Sequence, residues 1–257
     1  MDTGLAGRTA IVPGSSAGLG LAVARALAAE GANVVMTARR GDLLRRWADE
    51  LPSALAVPAD IADPQTPARL VAAAQERFGA VDVCVLNGGG PRPQAAAEAT
   101  DADLLAAIET QLLAQQRLVA AVLPGMRERG WGRVVAVGST FVRQPAPDMV
   151  GSNTARAALA SYLKTLAAEV AADGVTVNMV LPGRIDTDRV AALDRAAAER
   201  SGRTPEEVRA AAIAQIPAGR LGTPEEFAAV VTFLASAGAS YVTGTRISCD
   251  GGLLRAL

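Results

Sequence analysis

The stretch Ile11-Val12-Pro13-Gly14-Ser15-Ser16-Ala17-Gly18-Leu19-Gly20 decides how the chain is read, because three glycines stand between a short apolar strand and a helical run. Upstream, Thr9-Ala10-Ile11-Val12 is apolar and rich in β-branched residues. Downstream, Leu19, Val23 and Leu27 recur every four positions along one helical face. Glycines at a strand-to-helix joint let the chain turn tightly and let backbone N–H groups approach an anion favoured by the helix dipole. The spacing is G-x-x-x-G-x-G, so the stretch fits either a pyrophosphate-binding turn or a plain tight βα loop.

Composition narrows the field. The 257 residues are half apolar, enough for a sizeable core, and disorder is not expected. The 25 basic and 26 acidic residues leave a net charge of −1 with no long block of either sign, so neither nucleic acid nor an anionic membrane is an expected partner. A small-molecule substrate is. The absence of histidine removes Ser-His-Asp and Cys-His catalysis, and no metal site is expected. Cys84 and Cys249 are the only cysteines; Cys84 falls in the apolar run Val81 to Leu86 and reads as a buried hydrophobe rather than half of a disulfide. The N-terminal Met1-Asp2-Thr3-Gly4 lacks a charged region followed by an apolar run, and no segment reaches the length of a membrane span, so a cytoplasmic protein is expected.

Further strands follow the glycine turn at Ala32 to Thr37, Leu55 to Asp60, Val81 to Leu86, Arg133 to Val137, Val175 to Val180 and Thr245 to Cys249. Helical runs lie between them, at Asp42 to about Leu51, Pro67 to Phe78, Asp101 to Arg129, Asn153 to Ala172 and Phe227 to Leu234. This alternation predicts an α/β doubly wound domain, a mostly parallel sheet with helices on both faces, in which ligands bind at the carboxyl ends of the strands. With no repeat and no linker, residues 1–257 read as one domain. The alanine-rich, charged segment at about 188–226, with Pro205, Pro217 and Pro224 as breakers, reads as helices inserted over the sheet edge to cover a substrate.

Three loops at strand ends carry the chemistry. Arg39 and Arg40 end the second strand, where an acid would bind a ribose 2′-hydroxyl; arginines there fit a 2′-phosphate and favour NADP over NAD, or are solvated loop residues. Asn87-Gly88-Gly89-Gly90 follows the fourth strand, as a close-approach loop or a plain one. Pro182-Gly183 ends the sixth and precedes Arg184-Ile185-Asp186-Thr187.

Together the glycine turn, Asp60-Ile61, Asn87-Gly88-Gly89, Ser139, Pro182-Gly183 and the closing Asp250-Gly251-Gly252 resemble a short-chain dehydrogenase/reductase of the ketoacyl-carrier-protein reductase type, over essentially the whole chain. The resemblance implies a seven-stranded Rossmann domain. It implies that the turn from Gly14 through Ser15, Ser16, Gly18 and Leu19 to Gly20 holds the NADP pyrophosphate, that Asp60 and Ile61 flank the adenine, and that Asn87, Gly88 and Gly89 sit near its ribose. Pro182, Gly183, Ile185 and Thr187 then meet the nicotinamide end. The family works with Asn, Ser, Tyr and Lys. Here the matching positions are Gln111, Ser139, Ser152 and Arg156, with Ser152-Asn153-Thr154-Ala155-Arg156 where Tyr-x-x-x-Lys is usual, a pattern that looks like a reductase-like subgroup.

Ser152 and Arg156 share a helical face, as the tyrosine and lysine would. An aliphatic hydroxyl is a far poorer acid than a phenol, and arginine stays protonated; Arg156 can instead bind the cofactor through its ribose hydroxyls, grip a substrate carboxylate or stabilise a developing oxyanion, so binding is expected to survive better than proton transfer. Tyr162 and Tyr241 read as packing residues, and Asp148 and Asp186 as solvated carboxylates. The expected function is an NADP-dependent carbonyl or alcohol oxidoreductase; the alternatives are a non-redox elimination or isomerisation, and nucleotide binding without turnover. A homotetramer or dimer is expected from the resemblance and from the long apolar-faced helical stretches Asp101 to Arg129 and Asn153 to Ala172.

Overall fold

The computed structural model describes residues 2–255. In chain order the elements are β1 (Thr9–Pro13), α1 (Gly18–Ala29), β2 (Asn33–Thr37), α2 (Gly41–Asp49), β3 (Ala54–Ala56), α3 (Thr66–Phe78), β4 (Val83–Leu86), α4 (Asp101–Ile108), α5 (Ala114–Glu128), β5 (Gly132–Val137), α6 (Val150–Val170), β6 (Val175–Pro182), α7 (Asp188–Ser201), α8 (Pro205–Ile213), α9 (Pro224–Ala235) and β7 (Arg246–Cys249). The strands form one seven-stranded parallel sheet in the order β3-β2-β1-β4-β5-β6-β7.

The strands read as unbroken apolar runs because both faces of the sheet are covered. Alternate residues go to opposite cores, as the two-residue period of a strand requires. Val12, Val83, Val85, Val135 and Val137 join α1, α2 and α9 in one cluster, centred on the fully buried Phe227. Ile11, Cys84, Leu86, Val134 and Ala136 join α3, α5 and α6 in the other. Burial raises the Cys84 thiol far above its ordinary range, so it serves as a hydrophobe, as expected.

The direction of winding reverses between β1 and β4. After β1 the chain moves outward to β2 and β3, then returns across the sheet to β4 on the other side of β1. Loops at the carboxyl ends of β1 and β4 therefore part company and leave a crevice, the topological switch point of a doubly wound sheet.

Several expected boundaries shift for local reasons. β3 ends at Ala56, short of Asp60, because Pro58 has no N–H to offer the ladder. Val57 and Ala59 still donate to the carbonyls of Met36 and Ala38 at 2.9 and 3.2 Å, which delivers Asp60 to the sheet edge. The helical stretch from Asp101 is interrupted by a π-type turn, Glu109–Leu113, between α4 and α5. Pro205 and Pro224 open helices rather than break them. Each is a first-turn proline behind a threonine cap, with reciprocal Thr204/Glu207 and Thr223/Glu226 capping boxes. Tyr162 packs against the second core, but Tyr241 is fully exposed and packs against nothing, because the turn after α9 carries it off the sheet. No helix among the described residues is long and apolar enough to cross a membrane.

Candidate active site

The crevice at the switch point is a cavity of about 1190 Å³. That exceeds the ~300–1,000 Å³ of a typical small-ligand pocket, leaving room for a long ligand and a second molecule beside it.

One end is built by the glycine turn. Gly14 and Gly18 have φ of +65° and +55°, a left-handed backbone that side chains oppose. A Cβ on Gly20 would lie 2.4 Å from the Gly14 carbonyl oxygen and 2.8 Å from Asn87 Nδ2, so α1 can begin this close to the strand ends only with glycine there. Asn87 Nδ2 donates to the Pro13 carbonyl at 2.9 Å and ties the end of β4 to the end of β1. The N-terminus of α1 has no side-chain cap and no acid in its first turn, unlike α4, α8 and α9, which carry both. Its free N–H groups and positive dipole end suit an anion.

Arg39 and Arg40 line the same end, and Arg40 donates through Nε and Nη2 to Ser16 Oγ at 3.3 and 3.1 Å. Trp47 Nε1 holds the Ser16 carbonyl at 3.1 Å, so the turn is tied on both sides. Asp60 and Ile61 stand next along the wall.

At the other end, Ser139 closes β5. Its Oγ accepts from the Phe141 N–H at 3.2 Å, which leaves its own proton free to donate. Ser152 and Arg156 lie one turn apart on α6, and both line the cavity. Arg156 Nη1 donates to the carbonyls of Val137 and Gly138, at 2.6 and 2.9 Å, and so pins α6 to the end of β5. Burial first, and then the charge of Arg189, pull its guanidinium down to about 10, still a cation at neutral pH.

The loops expected at strand ends converge here: Gly14, Ser16, Gly18, Leu19, Gly20, Arg39, Arg40, Asp60, Ile61, Asn87, Gly88, Gly89, Ser139, Ser152, Arg156, Pro182, Gly183, Ile185 and Thr187 all line the cavity. Two expected residues do not. Ser15 is wholly buried in the turn and does not line the cavity. Gln111, in the π-type turn, is 4% exposed and its Nε2 donates to the Gly89 carbonyl, so it steadies a cavity loop instead of facing a ligand. Asp148 and Asp186 are exposed and outside the cavity, the latter paired with Arg209 at 2.9 Å.

The inserted segment does border the cavity, through Asp188, Arg189, Val190 and Leu193 of α7, Ala212 of α8, and Gln215. An ion pair between the partly buried Arg184 and the buried Asp194 ties α7 to the loop after β6. Sequence reasoning missed Arg189, Arg92, Gln94 and Asp103, which also line the wall. Arg92, Gln94 and Thr100 all converge on the Asp103 carboxylate, and these hydrogen bonds, Gln94's first, hold it well below the usual carboxylate range. Only the Thr100-x-x-Asp103 capping spacing was visible in the sequence. No group of three or more Cys, Asp or Glu side chains among the described residues is arranged to hold a metal.

The chain belongs to the short-chain dehydrogenase/reductase family. The family model that matches residues 14–254 is described as enoyl-(acyl carrier protein) reductase. The chain is 36% identical over 250 residues to the 3-oxoacyl-(acyl-carrier-protein) reductase of Vibrio cholerae, covering 97% of this chain and 98% of that one. It is 35% identical over 248 residues to the Escherichia coli reductase of the same name, covering 96% and 97%. Among solved structures it resembles L-sorbose reductase from Gluconobacter frateurii, complexed with NADPH and L-sorbose, with TM-score 0.94, 33% identity and full coverage of both chains. It also resembles YwfH, an NADPH dependent reductase involved in bacilysin biosynthesis, with TM-score 0.92 and 28% identity over 97% of this chain and 99% of that one.

The crowding at Gly20 is directly testable. Gly20→Ala is expected to lower stability by about 1–3 kcal/mol through overpacking, read as a lower urea midpoint; an unchanged midpoint would mean that the turn does not approach Asn87 this closely.

Proposed function

We propose that the protein is an NADP-dependent oxidoreductase that interconverts a carbonyl and an alcohol, with Ser152 and Arg156 where its family uses tyrosine and lysine. The observation that carries this reading is one continuous cavity. It runs from an uncapped helix N-terminus flanked by Arg39 and Arg40 to Ser139, Ser152 and Arg156. Family membership and the NADPH named for the two similar reductase structures support it.

The residues present fit the cofactor. The uncapped N-terminus of α1, held close to the strand ends by the missing side chain at Gly20, takes the pyrophosphate, and the Arg40 guanidinium beside Ser16 takes the 2′-phosphate by charge-assisted hydrogen bonds. Asp60 and Ile61 border the adenine, Asn87, Gly88 and Gly89 the ribose, and Pro182, Gly183, Ile185 and Thr187 the nicotinamide. When bound, the nicotinamide supplies or accepts the hydride.

The chain's own residues then hold the substrate oxygen. Ser139 donates its free proton to that oxygen, and Ser152, buried but lining the cavity, orients it from the other side. Arg156 is locked by two backbone carbonyls, so its charge is preorganised beside the oxygen that becomes negative in reduction. It remains a cation at neutral pH and acts by charge, not by passing a proton. Water in the cavity delivers the proton to the alkoxide. Gln111 acts as a positioning residue through the Gly89 carbonyl.

One feature favours a second reading, nucleotide binding with slow or no turnover: among the described residues no tyrosine, lysine, histidine or cysteine lines the cavity. A positioned general acid contributes roughly 10²–10⁴-fold to rate. We also propose that the chain assembles as a homodimer or homotetramer, since the outer face of the Asp101 to Arg129 stretch leaves Leu105 and Leu113 exposed.

Three outcomes are expected. In calorimetric titration NADPH binds at least tenfold more tightly than NADH, and Arg40→Ala erases most of that preference; equal affinity for both would overturn the assignment of NADP. Ser152→Tyr combined with Arg156→Lys raises turnover on simple ketones, followed by nicotinamide absorbance, roughly 10²-fold or more; product formed with no absorbance change would instead identify non-redox chemistry. Light scattering returns a dimer or tetramer, and a monomer would refute the assembly.

A further inference from the structure

Six arginines line the cavity, and four of them are engaged elsewhere or lie at the far end. Arg92 is paired with Asp103 and Arg184 with Asp194. Arg39 and Arg40 stand at the end of β2 beside the glycine turn. Arg156 and Arg189 remain.

Neither of these two makes an ion pair among the described residues. Arg156 uses only Nη1 on the protein; its Nε and Nη2 have no protein partner and are not sealed from solvent. Arg189 reaches from the first turn of α7 across the cavity mouth, donating one bond from Nη2 to the Pro91 carbonyl at 2.8 Å. Its guanidinium lies over Gly90, where an added Cβ would come within 3.3 Å of Nη2. Pro91 in turn packs against Gly151, the neighbour of Ser152, at a distance of 3.4 Å to the position of an added Cβ. Arg189 is thus held on the Ser152 side of the cavity, through the loop after β4.

Burial is the main cause of the depressed Arg156 guanidinium, and the charge of Arg189 adds to it in the same direction. Asp188, beside Arg189 in sequence, lines the same cavity but bridges neither. Two cations of like charge with unused donors, Arg156 inside and Arg189 exposed at the rim of a cavity that Leu104, Ala107, Val150 and Leu193 also line, form a receptor for an anionic oxygen group. The turn at α1 already offers its N–H groups to a pyrophosphate, which leaves this pair for the substrate.

We infer that the substrate carries a carboxylate, held between Arg156 and Arg189, so that the reaction partner is a short oxo acid or hydroxy acid. This rests on the oxidoreductase reading for its chemistry, but anion recognition by the pair stands or falls separately.

The test uses 4-oxopentanoate and its uncharged methyl ester as probes in calorimetric titrations of the full chain, without and with saturating NADPH. The acid is expected to bind at least tenfold more tightly than the ester. Arg189→Ala should weaken acid binding roughly ten- to a hundredfold, the worth of charge-assisted hydrogen bonds. Arg195→Ala, an exposed charge on α7 outside the cavity, should change it less than twofold. Arg189→Lys, which keeps the charge and loses the fork, should fall between. Acid preference in a chain that binds no NADPH would uphold the anion site while removing the dehydrogenase reading. Three results would overturn the inference: ester binding as tight as acid, no acid binding at tens of millimolar, or Arg189→Ala weakening NADPH as much as the acid, which would assign the anion to the cofactor's pyrophosphate.

Discussion

Gly14, Gly20 and Asn87 meet in a space that has no room for another atom. With a Cβ on Gly20 placed 2.4 Å from the Gly14 carbonyl, α1 can start where it does only because that side chain is missing. The Asn87 amide completes the joint by donating to the Pro13 carbonyl, so the ends of β1 and β4 are fixed to each other at the point where the winding reverses. Every other cavity element is referred to this joint. If the turn stood further out, the open N–H groups of α1 and the arginines at the end of β2 would no longer face the same space as Ser139 and Ser152.

The second end of the cavity is organised by a side chain with two duties. Arg156 spends one nitrogen on the carbonyls of Val137 and Gly138, which locks the start of α6 against the end of β5, and keeps the rest for the cavity. A lysine ammonium is a flexible point charge that can give up a proton; the guanidinium is planar, rigid and permanently charged. At this position a guanidinium offers a fixed charge and forked donors, where an ammonium would offer a proton to relay. Gln111 shows a related economy, since the π-type turn aims its amide at the Gly89 carbonyl and braces a loop from behind.

How much of this was legible varied with the range of the interaction involved. Strand positions were readable because burial on both faces leaves a continuous apolar run, as at Val83–Leu86 and Gly132–Val137. The prolines at 205 and 224 misled because a breaker and a helix opener look alike unless the preceding threonine and the glutamate three residues on are read with them. Tyr241 misled for the opposite reason: an aromatic side chain signals packing on average, and nothing local reveals that its turn leaves the core. Gln111 was legible as a position and not as an orientation, because a π-type turn rotates the side chain without leaving a mark in the sequence.

By itself the sequence determined the alternation of strands and helices, the glycine turn, the arginines at the end of β2 and the pairing of Ser152 with Arg156 on one helical face. These depend on neighbours within a turn or two of chain, where periodicity and backbone freedom are enough. Only the tertiary structure decided which polar groups share the cavity. Arg189 lies 33 positions beyond Arg156 and 98 beyond Pro91, to which it bonds, and their meeting depends on how α7 folds back across the loop after β4. The same holds for Ser15 and Gln111, which the fold buries and leaves off the cavity wall. Coulomb interaction and hydrogen bonding act through space, and the pattern along the chain records only what is near in sequence.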